Sequence, residues 1–221
     1  IIEQELKDRN YNAEIVDNDN KYYNRIKFLP DKSPKISIII PFKDKIYLLK
    51  NCIASIEQKS TYKNYEIILV NNQSTDADAL EYFNNSKHKK INADFPFNYA
   101  RINNIAVEQA EGEYLLFLNN DIEVIAPDWM ESLLGLAKLD KVGIVGAKLI
   151  YSNTLIQHAG VVKLGNRRIL HINRGARSNS GGYKNYKNLI REYLAVTGAC
   201  IMTSKEKFKK TGCFDENLAV E

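Results

Sequence analysis

The chain has 221 residues, 44% of them hydrophobic and 26% charged, with a formal net charge of +4. That composition suits one sizeable, soluble α/β domain and argues against a disordered or fibrous chain. No apolar run approaches the ~18 residues needed to cross a bilayer, and Ile1-Ile2-Glu3-Gln4 lacks the charged-then-apolar pattern of a secretion signal. Residues 1–34 mix charges, asparagines and tyrosines and close on Pro30-Asp31-Lys32-Ser33-Pro34, which predicts a linker or strapping segment. Lys35 to Pro41 is a β-branched run stopped by proline, the pattern of a strand buried on both faces. Ile46, Leu49, Cys52, Ile53 and Ile56 then recur at helical spacing and predict a helix over 45–59.

The unit repeats. A strand over 66–70 ends in the polar turn Asn71 to Asp76 and is followed by a helix over 77–85. A further helix over 98–110 stops near Gly112, read as its C-cap. Tyr114 to Leu118 predicts a very apolar strand ending at Asn119-Asn120-Asp121, and Pro127-Asp128-Trp129 opens a helix reaching 139. Strands are expected over 142–147, 155–162 and 194–202, with a short helix over 205–210 and no clear period over 163–191.

Such alternation specifies an α/β fold, a doubly wound, mostly parallel, Rossmann-like sheet with a less regular C-terminal part. Ligands of these sheets bind at the carboxyl ends of the strands, near the point where strand order reverses. Three polar clusters fall at such ends: Pro41-Phe42-Lys43-Asp44, Asn71 to Asp76, and Asn119 to Asp121. A carboxylate fixed directly after a buried strand, as Asp121 is, supplies a hard oxygen ligand suited to Mg²⁺ or Mn²⁺, although the same position also serves as a turn cap. His88, His158 and His171 lack zinc spacing, and no phosphate-loop or dinucleotide glycine motif is present.

Taken in order, Ser37 to Asp44, Ile68 to Asp76, Phe97 to Asn104, Gly112 to Asp121, Ile156 to Gly160, Val196 to Cys200 and Gly212 to Glu216 resemble family 2 glycosyltransferases of the GT-A fold. The branch resembled builds O-antigen, rhamnan and related bacterial surface polysaccharides. The resemblance covers residues 35–221 and implies a GT-A domain cut short at its C-terminus, one module of a longer polypeptide. It implies transfer of a sugar, with inversion, from a nucleotide-diphosphate donor to a saccharide or lipid-linked saccharide acceptor. Pro41, Phe42 and Asp44 would meet the base and ribose, Asn71, Asn72 and Ser74 would hold the base, and Asn98 and Arg101 would face the donor. Asn119 and Asn120 would line the donor site, Asp121 would hold the divalent metal on the diphosphate, and His158, Thr197 and Gly198 would lie on the acceptor side. The general base would follow Glu216, past Glu221, which predicts a fragment of low activity.

Two residues depart from the family pattern: Asn71 stands for an acid, and Asn119 replaces the first acid of the D-x-D-like motif. Fewer negative ligands weaken metal binding. The chemistry of His158 alone favours a structural histidine satisfied by backbone, and Thr197-Gly198 also fits a strand that needs close packing. The competing functions are a non-catalytic nucleotide- or glycan-binding module and a sugar-phosphate nucleotidyltransferase, the latter opposed by the absence of glycine in Lys43-Asp44-Lys45.

Charge is unevenly spread. Between Lys141 and Arg191 stand ten lysines or arginines, Arg167 among them, and no Asp or Glu. Such a field attracts anions: a diphosphate, an anionic glycan or a lipid head group. No nucleic-acid-binding signature accompanies it, so nucleic acid is not an expected partner. The three cysteines, Cys52, Cys200 and Cys213, read as reduced thiols of a cytoplasmic protein, with peripheral contact to the inner face of the membrane permitted by the basic run.

Overall fold

The computed structural model describes residues 1–16, 24–30, 32–165 and 168–218; Asp31, Arg167 and Glu221 of the sequence reading lie outside them. In chain order the elements are α1 (Ile2–Asp8), β1 (Ala13–Val16), β2 (Arg25–Phe28), β3 (Ile36–Phe42), α2 (Ile46–Lys59), β4 (Tyr65–Asn71), α3 (Ala77–Asn85) and β5 (Lys89–Asn92). There follow α4 (Tyr99–Gln109), β6 (Tyr114–Leu118), α5 (Trp129–Ala137), β7 (Val145–Gly146), β8 (Leu149–Ile150), β9 (Ile156–His158), β10 (Val161–Leu164), β11 (Arg168–His171), β12 (Cys200–Ser204) and α6 (Lys205–Lys210).

The central sheet has the order β5-β4-β3-β6-β12-β7. Its first four strands are parallel, and β12 runs antiparallel to both β6 and β7. Alternate side chains of one strand feed two cores, as a sheet covered on both faces requires. Ile36, Ile38 and Ile40 of β3, with Leu116 and Leu118 of β6, pack against α2 and α5. Ile39, Leu115 and Phe117 face the other way, onto Ile102, Ala106 and Val107 of α4 and Phe208 of α6. The chain builds β3, β4 and β5 outward in one direction and then returns to the opposite side of β3 with β6, so strand order reverses between β3 and β6.

Several boundaries differ from the sequence reading. The expected strand over 155–162 is broken at Gly160, whose φ of +115° no side-chain-bearing residue adopts readily, into β9 and β10. The expected strand over 194–202 begins only at Cys200, because the N–H of Thr197 is spent on the His158 ring (3.3 Å) rather than on a ladder. Only Val145 and Gly146 of 142–147 pair. Gly112 is not a C-cap: α4 ends at Ala110 with extended backbone, and Gly112 is glycine because a Cβ there would lie 2.6 Å from the backbone N of Ser37. Residues 1–34 contain a helix and the β1–β2 hairpin. That hairpin is held to α5 by an ion pair of Lys27 with Asp128 at 2.8 Å, and by Gly135, where a Cβ would meet the Phe28 carbonyl oxygen at 1.9 Å.

Candidate functional site

Parallel pairing brings the carboxyl ends of β3, β4 and β6 to one rim, and hydrogen bonds knit the tips together. The Asn72 N–H donates to the Phe42 carbonyl at 2.9 Å. Asp44, at φ +50°, turns its carboxylate onto the neighbouring tip, where Oδ1 accepts the N–H groups of Asp76 (2.9 Å) and Thr75 (2.6 Å). Those two donors, Asp76 first, hold its carboxyl below the usual range. The Asp44 N–H in turn donates to Ser74 Oγ at 2.9 Å, and Ser74 N–H donates to Asn71 Oδ1 at 3.0 Å.

Asn71 and Asn72 are both buried. Asn72 Nδ2 donates to the carbonyls of Ala93 and Phe95, both at 2.9 Å, and Asn71 Nδ2 donates to Asn92 Oδ1 at 3.2 Å. Their amides thus build the rim from beneath, and Gln73 between them and Ser74 is exposed in a left-handed turn. Pro41 is half-buried beside Phe42, whose ring packs on Phe83 inside the core.

The third tip carries the carboxylate. Asn119 and Asn120 are half-buried, and Asp121 is exposed. Among the described residues the Asp121 carboxylate takes part in no hydrogen bond or ion pair, and no three His, Cys, Asp or Glu side chains gather into a metal cage. One free hard oxygen donor fits a divalent cation that arrives with the diphosphate and keeps waters and phosphate oxygens as its other ligands. Cys52, which the sequence shows only as part of an apolar helix face, approaches this tip: its thiol lies 3.7 Å from the Asn119 carbonyl and is pushed up to about 12 by burial, with Asp121 adding to the effect.

Asn98 caps α4, its Oδ1 accepting the Arg101 N–H at 2.9 Å while Nδ2 donates to the Glu216 carbonyl at 2.9 Å. Arg101 is exposed, its guanidinium 4.2 Å from the centre of the Phe95 ring. Asn104 brackets the same incoming segment: Nδ2 donates to the Phe214 carbonyl and Oδ1 accepts the Phe214 N–H. The 212–216 motif therefore seats at the start of α4.

The 196–199 segment closes the rim across β6. Ala199 accepts the Asn119 N–H at 3.0 Å, and the Gly198 carbonyl accepts the Tyr99 hydroxyl at 2.9 Å. His158 organises it from below. Its Nε2 accepts the N–H groups of Gly160 (3.2 Å) and Thr197 (3.3 Å), so the ring proton sits on Nδ1 and is donated to Nδ1 of His171 at 3.0 Å. Burial first, and the neighbouring His171 second, bring its pKa down to about 4. No spacing rule predicts the His158–His171 contact, because the pairing of His171 with Val161 creates it.

A sequence profile described as "Glycosyl transferase family 2" matches residues 37–212, more than half of the chain. The chain belongs to glycosyl transferase family 2. This family 2 chain is 38% identical, over 203 residues, to the O-antigen biosynthesis protein RfbC of Myxococcus xanthus, a match covering 89% of the chain but 16% of that protein. It is 34% identical over 97 residues to the poly(ribitol-phosphate) beta-glucosyltransferase of Bacillus spizizenii, covering 39% of the chain and 15% of the relative. In fold it is similar to the mannosyltransferase PcManGT of Pyrobaculum calidifontis, solved with GDP-Man and Mn²⁺, with a TM-score of 0.61, 15% identity and coverage of 86% of this chain and 50% of the other. A second structure, TarS 1-349 of S. aureus, superposes with a TM-score of 0.53 at 17% identity, over 84% and 52% of the two chains. The family and the α/β architecture expected from the motifs are thus established, and the chain spans a small part of the curated relatives it matches.

Proposed function

We propose that this family 2 chain binds a nucleotide-diphosphate sugar at the β3/β6 rim and presents it for transfer to a saccharide acceptor in bacterial surface polysaccharide synthesis. The observation that carries the reading is the unpaired Asp121 carboxylate, held at the strand-order reversal beside two tips already locked by Asp44 and Asn72. The solved neighbour's GDP-Man and Mn²⁺, and the O-antigen function of the Myxococcus relative, support the donor class and the setting.

In the proposed reaction an acceptor hydroxyl oxygen bonds to the anomeric carbon while the bond from that carbon to the diphosphate breaks. The electron pair leaves with the nucleoside diphosphate, the hydroxyl proton passes to a carboxylate base, and the configuration inverts. Asp121 would hold Mn²⁺ or Mg²⁺, which when bound neutralises charge gathering on the leaving diphosphate. The locked tips fix the floor against which base and ribose lie, and Arg101, already stacked on Phe95, offers a cation to a phosphate.

Calorimetry with UDP, GDP and dTDP, each with and without Mn²⁺, tests this. One nucleotide is expected to bind at least about tenfold more tightly with the metal, and Asp121→Asn is expected to erase that difference. Equal binding with and without metal would favour a module that binds nucleotide without transferring sugar, the reading to which Asn71 and Asn119 lend weight.

A further inference from the structure

The stretch with no acidic residue between Lys141 and Arg191 also exposes an unusual set of large aliphatic side chains. In the β10–β11 hairpin, directly paired residues share a face. Val161 pairs with His171, and that face turns inward at its base, where Val161 is buried and His171 meets the His158 ring, while the next pair on it, Lys163–Ile169, is exposed. The opposite face carries the pairs Val162–Leu170 and Leu164–Arg168. Leu170 is 44% exposed and Leu164 54%. Leu194, 64% exposed and tied to the Val161 carbonyl by its N–H at 3.2 Å, lies with Val162 around a shallow cavity of about 470 Å³ that Arg191 also lines.

Three leucines on one outward face are not a saccharide platform, because a sugar needs hydroxyl partners that leucine lacks. Exposed aliphatics rimmed by Arg168 and Arg191, with Glu192 the one acid lining the adjoining cavity, match a surface that is anionic outside and hydrocarbon beneath. We propose that the outer face of the β10–β11 hairpin, with Leu194 and Arg191, docks on an anionic phospholipid bilayer. Leu164, Leu170 and Leu194 enter the head-group boundary while Arg168 and Arg191 meet lipid phosphates. The inference is independent of the sugar-transfer reading, because none of these residues builds the nucleotide rim.

Co-sedimentation of the whole chain with vesicles decides it. The chain is expected to pellet with vesicles of one part phosphatidylglycerol to two of phosphatidylcholine, to stay in solution with phosphatidylcholine alone, and to be released by high salt. The double variant Leu170→Ser/Leu194→Ser and the charge reversal Arg168→Glu should each weaken pelleting by about tenfold or more, with an unchanged melting temperature reporting an intact fold. No pelleting, pelleting that ignores lipid charge, or variants that pellet like the parent would overturn the proposal. So would a concentration-dependent dimer that the leucine variant abolishes, since the patch would then be a protein interface.

Discussion

His158 has to remain neutral for its ring to accept two backbone N–H groups and still donate to His171. Its folded pKa, about 4, lies below the ~6.5 of an unfolded histidine, so the unfolded chain binds the proton more readily. The stabilisation is therefore present in full above about pH 6.5 and is lost as the pH falls toward 4, amounting to about 2 kcal/mol between pH 7 and 5. Urea midpoints across that window, where ordinary carboxylates scarcely titrate, should fall more steeply for the parent than for His158→Gln, in which His88, also depressed by burial, still titrates. A slope undiminished in the variant would remove His158 as its source. Asp121 contrasts with this histidine: it supports no neighbour among the described residues, which is what leaves it available to a ligand.

At the scale of elements, α5 and the β1–β2 hairpin meet backbone to backbone at Gly135. Alanine is the better helix former by about 1 kcal/mol, and in an open helix Gly135→Ala would stabilise. Here the added methyl would strike the Phe28 carbonyl, so a net loss of about 1–3 kcal/mol is expected, read as a lower melting temperature. A rise would show that the hairpin gives way cheaply. The elements legible in the sequence are those whose own periodicity decides them: β3, β4 and β6 as apolar runs, and α2, α3 and α4 as helical stripes. Asp121 was legible for the same reason, since a long buried strand fixes where its first polar residues emerge. The elements misjudged are those that depend on a distant partner. β12 is placed by its ladder to β6, from Cys200 opposite Leu118 to Ser204 opposite Tyr114, and nothing local in Leu194 to Met202 says where that ladder starts. The inward amides of Asn71 and Asn72 were likewise invisible, because Asn92, Ala93 and Phe95 arrive only once β5 is laid beside β4.

Across the whole molecule, the hairpin brace and the rim proposed for binding stand at opposite ends of the sheet. The β1–β2 hairpin braces α5 near Asp128, and this region is tied to the end of α2 by Thr61, whose N–H donates to the Pro127 carbonyl at 2.9 Å. The rim proposed for the nucleotide lies at the other end of the strands. Removing residues 1–33 should lower the melting temperature by several degrees and leave nucleotide affinity within about twofold. A matching loss of affinity would mean that the strap shapes the rim after all. The sheet's far side has a different consequence. The polypeptide departs at Val145–Gly146 of β7 and re-enters at Cys200 of β12, and these two strands are immediate neighbours. Everything between them is thus a cassette whose two ends stand about 5 Å apart. An insert spliced into this excursion would leave β7 and β12 in register provided that residues 196–199 are kept, because the Ala199 and Gly198 carbonyls hold Asn119 and Tyr99.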